Sequence, residues 1–442
     1  MLALAVPIML ANISTPLIGI VDTGVVGQLS DPSYIGAVAV GALIFSLLFW
    51  TFGFLRMGTT GLAAQSAGAA DEDELAAVLL RALLVAGLCG SLLIALQWPI
   101  REAAFGLVGG TERVSQLGQD YFNIRIWAAP FSLANYALIG WFVGIGRTRI
   151  VLLLQLVLNL SNIALDALFV LVFEWDVRGV AAGTVVAEAL ALIVGLTMAW
   201  RALQGRGIAG ARGRILVAGK IRRMLAINRD LMLRSLALVS IFFWFTADGA
   251  RQGETALAAN AVLMHLVSAS AYILDGLAHA AESLVGRAIG AGDHLRVGTA
   301  VRMTTIWAVA CAVVASLVIA IAGGTFIDLM TIDITTRAAA RVYLPWAIAA
   351  PLLGVWAYQL DGIFIGATAT AEMRQGMLVS FVAFVCAWWL SRPFGNHGLW
   401  AALSFHYAVR AISLWYYYPA VLRRIRTLGG RESTPAAVTD AP

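Results

Sequence analysis

Twelve long apolar stretches dominate the chain and constrain its fold more than any other feature. Each can cross the hydrocarbon core of a bilayer, which takes about 20 apolar residues in a helix. Hydrophobic residues occupy 60% of the 442 positions and charged residues only 12%, against about 25% charged residues in soluble domains. A soluble protein of this length could not cover its surface with so few polar groups. These observations exclude a soluble enzyme, a disordered chain and a nucleic-acid-binding protein, and they predict an all-α polytopic membrane protein.

Charge clusters and Gly or Pro residues separate the stretches and set the predicted spans. The cysteines Cys89, Cys311 and Cys386 lie singly inside apolar stretches, without the spacing of a metal site or a disulfide framework. The predicted spans are 2–27, 34–66, 75–97, 115–145, 149–173, 179–202, 224–249, 254–288, 296–321, 334–364, 374–391 and 397–422.

The distribution of arginine predicts how the chain is oriented. The connection 201–234 is rich in basic residues and contains one acid, Asp230, and most other basic residues outside the spans fall on the same side. By the positive-inside rule this side is cytoplasmic. We therefore expect a multi-pass protein of the bacterial inner membrane with both termini in the cytoplasm.

The sequence repeats itself at a fixed offset of 222 positions. Residues 33–40 align with 255–262, and Gly140 and Gly144 align with Gly362 and Gly366. Each half then has six spans, and two such halves suit a transporter that rocks about a central cavity. The predicted organisation is an amino-terminal lobe (1–203), a cytoplasmic basic linker (204–222), a carboxy-terminal lobe (223–425) and a disordered cytoplasmic tail (426–442).

Asp22 and Asp166 are the most informative acids inside the predicted spans, where a charge costs at least ~2.5 kcal/mol and usually marks an ion or proton pathway. Asp22 lies in the first span and Asp166 in the fifth, where Asn159 and Asn162 share its helical face at spacings i, i+3 and i+7. Carboxylate and amide oxygens suit a proton or a hard cation such as Na⁺, and Thr184 in the sixth span can add a hydroxyl. Neutral, hydrogen-bonded packing groups are the alternative for both acids.

Pro16 and Trp244 are further candidates. Pro16 removes a helical hydrogen bond six residues before Asp22, which makes it either a helix hinge or a static kink. At the offset of 222, Asp22 falls on Trp244 and Asp166 falls on Trp388. An indole ring offers contact area to a flat aromatic drug and attracts cations. We expect Trp244 to bind substrate together with Asp22; the alternative is that both tryptophans face lipid.

Several motifs resemble one transporter family over nearly the whole chain. They are Pro16-Leu-x3-Val-Asp22-Thr, Arg56-Met-Gly-Thr-Thr-Gly-Leu-Ala-Ala-Gln65, Asp275-Gly-Leu-Ala-His-Ala-Ala-Glu-Ser-Leu-Val-Gly286 and Leu360-Asp-Gly-Ile-Phe-Ile-Gly-Ala367. The chain resembles the multidrug and toxic compound extrusion (MATE) family and, within it, the DNA-damage-inducible-F-like branch.

The resemblance implies a V-shaped antiporter of twelve helices that exports cationic or amphipathic compounds against inward flow of H⁺ or Na⁺. It implies a monomer in the lipid bilayer, with drug molecules as partners and no cofactor beyond the coupling ion. The family's cation site carries over onto Asp22, Asn162 and Asp166, which are also where Na⁺ would bind. By position in their spans, Tyr121 and Thr184 complete it. The resemblance leaves open a second proton relay in the carboxy-terminal lobe, through Asp248, Asp275, Glu282 or Asp361.

Two mechanisms remain at this point. In the first, a proton or Na⁺ neutralises Asp22 and Asp166, releases a cationic drug and lets the lobes rock. In the second, the chain moves lipid-linked precursors, whose phosphates would meet cavity arginines. Arg56 and Arg125 are the candidate arginines of the amino-terminal lobe.

Overall fold

The computed structural model describes residues 1–29, 31–108, 111–203 and 208–430, and within these ranges the side chains of 15–18, 20, 23, 108, 208–209 and 424–430 are not described. The described part of the chain is helical throughout, with no strand. The first helices are α1 (Leu2–Val26), α2 (Ser33–Thr51), α3 (Phe54–Gly68), α4 (Glu72–Ala95), α5 (Gln97–Val108), α6 (Glu112–Arg125), α7 (Ala129–Gly144), α8 (Thr148–Asp166) and α9 (Asp176–Leu203). They are followed by α10 (Ile208–Ile215), α11 (Ala218–Arg251), α12 (Glu254–Gly290), α13 (His294–Met330), α14 (Ile334–Gly366), α15 (Thr370–Ser391) and α16 (Gly395–Gly430).

The number of spans agrees with the twelve predicted from the apolar stretches. Ten helical stretches of the described residues are long and apolar enough to cross a membrane, and the last of them, Thr370–Arg423, contains both α15 and α16. Helix α1 has 25 residues and an apolar first half, Leu2–Ser14. Separating α15 from α16 and adding α1 gives twelve. The fifth predicted span, 149–173, for example, corresponds to Thr148–Val172.

The helices gather into two compact units. The amino-terminal unit comprises Leu2–Ala63 and Glu72–Val239. The carboxy-terminal unit comprises Met1, Ala64–Asp71 and the described residues from Ser240 onward. Within the amino-terminal unit α1 packs on α8, α8 on α9 and α4 on α7, and within the carboxy-terminal unit α12 packs on both α13 and α14.

The repeat at offset 222 is visible as the same close helix contact in each unit. A methyl group at Gly140 would overlap the backbone carbonyl oxygen of Arg56, and a methyl group at Gly362 would overlap that of Ala278. Both the glycines and their partners differ by 222 positions. Only glycine lets two helix backbones approach so closely, which explains why the repeat recurs in the sequence at these positions.

The unit boundaries differ from the predicted lobes. The division falls inside α11, after Val239, because the beginning of α11 packs on α3 of the amino-terminal unit. At Gly58 a methyl group would collide with the side-chain oxygen of Asn228. Conversely, Ala64–Asp71 belongs to the carboxy-terminal unit, where a methyl group at Gly68 would overlap the carbonyl oxygen of Arg287. Apolar periodicity reveals where spans begin and end, but not which neighbours a helix contacts along its length.

The predicted linker and tail also contain more helix than expected. The linker region 204–222 includes α10, which packs against α4 through Ala211, and the first residues of α11. Arg214 of α10 forms an ion pair with Asp73 at the start of α4, and Lys220 forms one with Glu74. Helix α16 continues to Gly430, beyond the predicted start of the tail at 426. Residues 431–442 of the predicted tail lie outside the described residues.

Candidate functional site

The two acids predicted from the spans lie on neighbouring helices of the amino-terminal unit. Asp22 is on α1 and Asp166 is the last residue of α8, and these helices pack along each other. Immediately after Asp166, residues 167–172 form a π-helical turn. Such turns are rare and often occur at functional sites. This turn could not be foreseen from the apolar sequence Ala-Leu-Phe-Val-Leu-Val.

Asp22 and Asp166 form a pair of adjacent carboxyl groups. The two side chains lie within hydrogen-bonding reach of each other, and their exposed fractions are only 7% and 0%. One oxygen of Asp22 and both oxygens of Asp166 are buried and receive no hydrogen bond from the part of the chain that the structure describes. Buried polar atoms are nearly always satisfied, and these oxygens can take up a proton or coordinate a cation.

Asn162 and Thr184 border the acid pair, as predicted. Asn162 lies one helical turn before Asp166 and beside its carboxyl group. Its amide donates to the hydroxyl of Thr184 over 3.2 Å, and that hydroxyl donates to the carbonyl of Val180 over 2.9 Å. The carbonyl oxygen of the Asn162 side chain is buried and has no donor among the described residues. It adds a fourth oxygen without a donor.

Two glycines make room for this site. At Gly183 of α9 a methyl group would collide with the carboxyl oxygen of Asp166. At Gly41 of α2 it would collide with the ring of Tyr121, the fourth-span residue expected at the site. Tyr121 is buried. Its hydroxyl interacts electrostatically with Arg125, Asp22 and Asp166. The structure therefore brings Tyr121 to the acid pair.

Asn159, another predicted site residue, forms its hydrogen bonds with groups other than the acid pair. Its amide donates to the hydroxyl of Ser14 over 2.9 Å and to the Ser14 carbonyl over 3.1 Å. Its own oxygen accepts from Gln155 over 2.9 Å. Asn159 thus ties α8 to α1 near Pro16. The side chain of Pro16, the predicted hinge, lies outside the described residues.

A second buried group, centred on Arg125, was not part of the predicted cation site. Arg125 lies 5.4 Å and 5.5 Å from the ring centres of Phe45 and Phe49, within the range of cation–π contacts. Its guanidinium is 3.9 Å from the carboxylate of Glu188, and Asn135 donates to that carboxylate over 2.8 Å. The sequence signal for this group was the presence of charged residues of both signs inside predicted spans.

The carboxy-terminal unit holds a tryptophan pair at the positions that correspond to the acids. Trp244 and Trp388 pack edge to face, with ring centres 5.0 Å apart and planes at 74°. Both rings are partly buried, and within the described residues neither indole N–H has a hydrogen-bond acceptor. The offset of 222 therefore relates two contacting pairs: Asp22 with Asp166, and Trp244 with Trp388.

Three of the four candidate relay acids of the carboxy-terminal unit have partners that the structure shows. Asp361 forms a buried ion pair with Arg410. Glu282 lies 3.9 Å from the imidazole of His279. Asp248 accepts from Gln252 one turn later on the exposed end of α11.

Comparison with known proteins identifies the family. The MatE family model matches residues 7–168 and again 231–393. The chain is 42% identical to the DNA damage-inducible protein F of Escherichia coli strain K12, over 93% of this chain and 90% of that protein. It is 26% identical to the probable multidrug resistance protein NorM of Rhizobium meliloti, over 96% and 93% of the two chains. The crystal structure of the Vibrio cholerae MATE transporter VcmN in the bent form superposes with a TM-score of 0.86 at 18% identity and 96% coverage of both chains.

The described residues form an all-helical protein with the membrane-spanning stretches given above and a buried acid pair, and by these similarities it is a multi-pass membrane transporter. The chain belongs to the MatE family, and the predicted resemblance is confirmed. The family model matches once in each half, which agrees with the repeat read from the sequence.

Proposed function

We propose that this protein is a secondary active efflux antiporter that exports cationic or amphipathic compounds in exchange for H⁺ or Na⁺. The observation that carries this proposal is the acid pair Asp22–Asp166, with its group of buried oxygens that lack donors. The name of one relative, a probable multidrug resistance protein, supports the export of toxic compounds.

The acid pair explains how ion binding and drug release are coupled. Two adjacent ionised carboxylates repel each other, so the pair is stabilised by one shared proton, by a metal cation or by a cationic drug. Because these ligands use the same oxygens, they compete. Binding of H⁺ or Na⁺ to Asp22 and Asp166 removes the charge that holds the drug and favours its release. The ion then has to leave on the side of the membrane opposite to the one from which it entered, before the next drug molecule binds.

The donor set fits either coupling ion. A proton needs one pair of oxygens, which Asp22 and Asp166 supply. Na⁺ needs several oxygen ligands, which the same carboxylates, Asn162 and the hydroxyl of Thr184 supply together. Within the described residues no group of three or more His, Cys, Asp or Glu side chains could hold a metal ion, and a Na⁺ site here would depend on the amide and hydroxyl oxygens.

The Trp244–Trp388 pair offers aromatic surface, and we propose that it contacts substrate in the carboxy-terminal unit. We also propose that the protein lies in the bacterial inner membrane with both termini in the cytoplasm, since the arginine-rich connections favour that orientation.

The experiment is transport of a cationic dye such as ethidium in proteoliposomes, with a pH gradient and a Na⁺ gradient imposed separately. We expect one gradient to drive uptake in the wild-type protein and neither to drive it in Asp22→Asn, because asparagine has the size of aspartate but cannot titrate. Asp328→Asn is the matched control, because it makes the same change at a partly exposed acid that pairs with Arg341. Gradient-driven transport in Asp22→Asn at the wild-type rate would refute the proposal. Cells lacking the protein could instead accumulate lipid-linked precursors and keep their resistance to the dye. That result would favour the alternative function, the movement of lipid-linked precursors across the membrane.

A further inference from the structure

A cavity of roughly 570 Å³ lies in the carboxy-terminal unit, and neither Trp244 nor Trp388 lines it. The end of α12, the beginning of α13 and the segment Ala67–Gly68 line it. Its size is within the range of small-molecule sites, ~300–1,000 Å³. The cavity lies where the long apolar helix α12 ends and the long apolar helix α13 begins. The ends of membrane-spanning helices are expected to lie at the depth of the lipid headgroups.

The polar part of the cavity is basic. Arg287 is half-buried in its wall, and its guanidinium Nε donates to the carbonyl of Ser283 over 3.3 Å. Among the described residues Arg287 has no acidic partner within ion-pair distance. Arg296 lines the same cavity and pairs with Asp293 over 3.0 Å, but its side chain is 77% exposed. An ion pair that exposed contributes little, so Arg296 is available to a stronger anionic ligand.

Apart from the arginines and Thr299, the side chains that line the cavity are apolar, and they continue out of it along α13. Leu284, Ala300 and Met303 line it. Met303 and, one turn further along α13, Ile306 are 44% and 53% exposed. On a helix these two positions share a face. A ligand with an anionic head and an apolar tail could therefore place its head at Arg287 and its tail along α13.

We propose that this cavity is a binding site for an anionic phospholipid, with the phosphate held by the guanidinium of Arg287 and assisted by Arg296. A guanidinium group can donate two parallel hydrogen bonds to two oxygens of one phosphate. Basic pockets between membrane helices are known to bind anionic headgroups. A zwitterionic headgroup also carries phosphate, but its ammonium group would meet the positive charge of Arg296. The site therefore favours phosphatidylglycerol over phosphatidylethanolamine. This inference does not depend on the transported substrate or the coupling ion.

The test is native mass spectrometry of the full-length protein released from detergent in the presence of phosphatidylglycerol or phosphatidylethanolamine. We expect one phosphatidylglycerol molecule to remain bound to the wild type, and Arg287→Gln to weaken this binding by about tenfold or more, since hydrogen bonds to charged groups are the stronger class. Arg302→Gln is the matched control: Arg302 is exposed on α13 and does not line the cavity. Binding in Arg302→Gln should equal that of the wild type.

Ala300→Leu gives a second, independent variant, because it fills the apolar part of the cavity and leaves both arginines in place. It should reduce phosphatidylglycerol binding while the protein elutes as the wild type does. Equal binding of the two lipids to the wild type, or unchanged phosphatidylglycerol binding in both Arg287→Gln and Ala300→Leu, would overturn the proposal. Displacement of the lipid by millimolar glycerol phosphate would overturn its assignment to a lipid, because a soluble phosphate compound would then be the occupant.

Discussion

Removal of one partner of the Arg125–Glu188 pair should destabilise the protein more than removal of both. Both side chains are about nine-tenths buried, and their charged groups are 3.9 Å apart. In Arg125→Gln, Glu188 keeps its charge inside a membrane-spanning helix with only the amide of Asn135 to bind it. In Glu188→Gln, Arg125 keeps its charge and its contacts with Phe45 and Phe49.

The expected magnitude follows from the loss of a buried partner. Leaving a buried charge unpaired costs about 3–5 kcal/mol. The separation of 3.9 Å is at the upper limit for an ion pair, so we expect about 3 kcal/mol for each single variant. Arg125→Gln should lose slightly more, because it also removes the cation–π contacts, worth about 0.5–2 kcal/mol. The double variant leaves no unpaired buried charge and should cost less than either single change.

The assay is thermal unfolding of the wild type, both single variants and the double variant in the same detergent, followed by the fraction that still elutes as folded protein. The double-mutant cycle should give a coupling energy of about 3 kcal/mol or more, because the double variant is expected to cost less than either single variant and residues in direct contact do not act additively. Thr197→Val is a control on the same helix as Glu188, since the Thr197 hydroxyl only donates to its own helix. Additive losses in the double variant would refute the idea that Arg125 and Glu188 stabilise each other.

Three further predictions concern the site and a helix end. Gly183→Ala should abolish gradient-driven transport, because its methyl group would displace the carboxyl group of Asp166, whereas Gly87→Ala, with open space at the same position, should transport as the wild type does. Asp22→Asn combined with Asp166→Asn should lower the transport rate little more than the worse single change, and additive losses would indicate separate sites. Asp333 caps α14, and hydrogen bonds from Thr335 and Thr336 hold the pKa of its carboxyl well below the ordinary value. Its stabilising contribution is therefore present above about pH 4 and is lost as the pH falls below that, so the stability difference between the wild type and Asp333→Ala should disappear on acidification.

The spans and the repeat could be predicted because they depend on local patterns. Apolar length defines a span, and close glycine contacts recur at Gly140 and Gly362, where the same residue is required twice. The pairing of Asn162 with Asp166 follows from helical spacing alone. These features need no knowledge of which helix lies beside which.

The rest of the site depends on contacts between helices and could not be read from spacing. Asp22 lies beside Asp166 because α1 packs on α8, and Asn159 contacts Ser14 instead of the acids for the same reason. Glu188 stands alone on its helix in sequence, and only the packed structure shows that Arg125 and Asn135 surround its carboxylate. The π-helical turn after Asp166 is equally invisible in an apolar sequence.

The two units share a fold but not the capacity to change charge. The repeat places a carboxyl pair in one unit and an indole pair at the matching positions of the other. An indole pair cannot take up a proton, so it can contribute contact area and cation–π attraction, but not coupling. The buried acid Asp361 is already balanced by Arg410, and such a pair has no need of a further ion. The oxygens without donors at Asp22 and Asp166 are different, because the coupling ion that we propose would satisfy them. In the proposed antiport, the coupling ion should therefore bind at the acid pair of the amino-terminal unit.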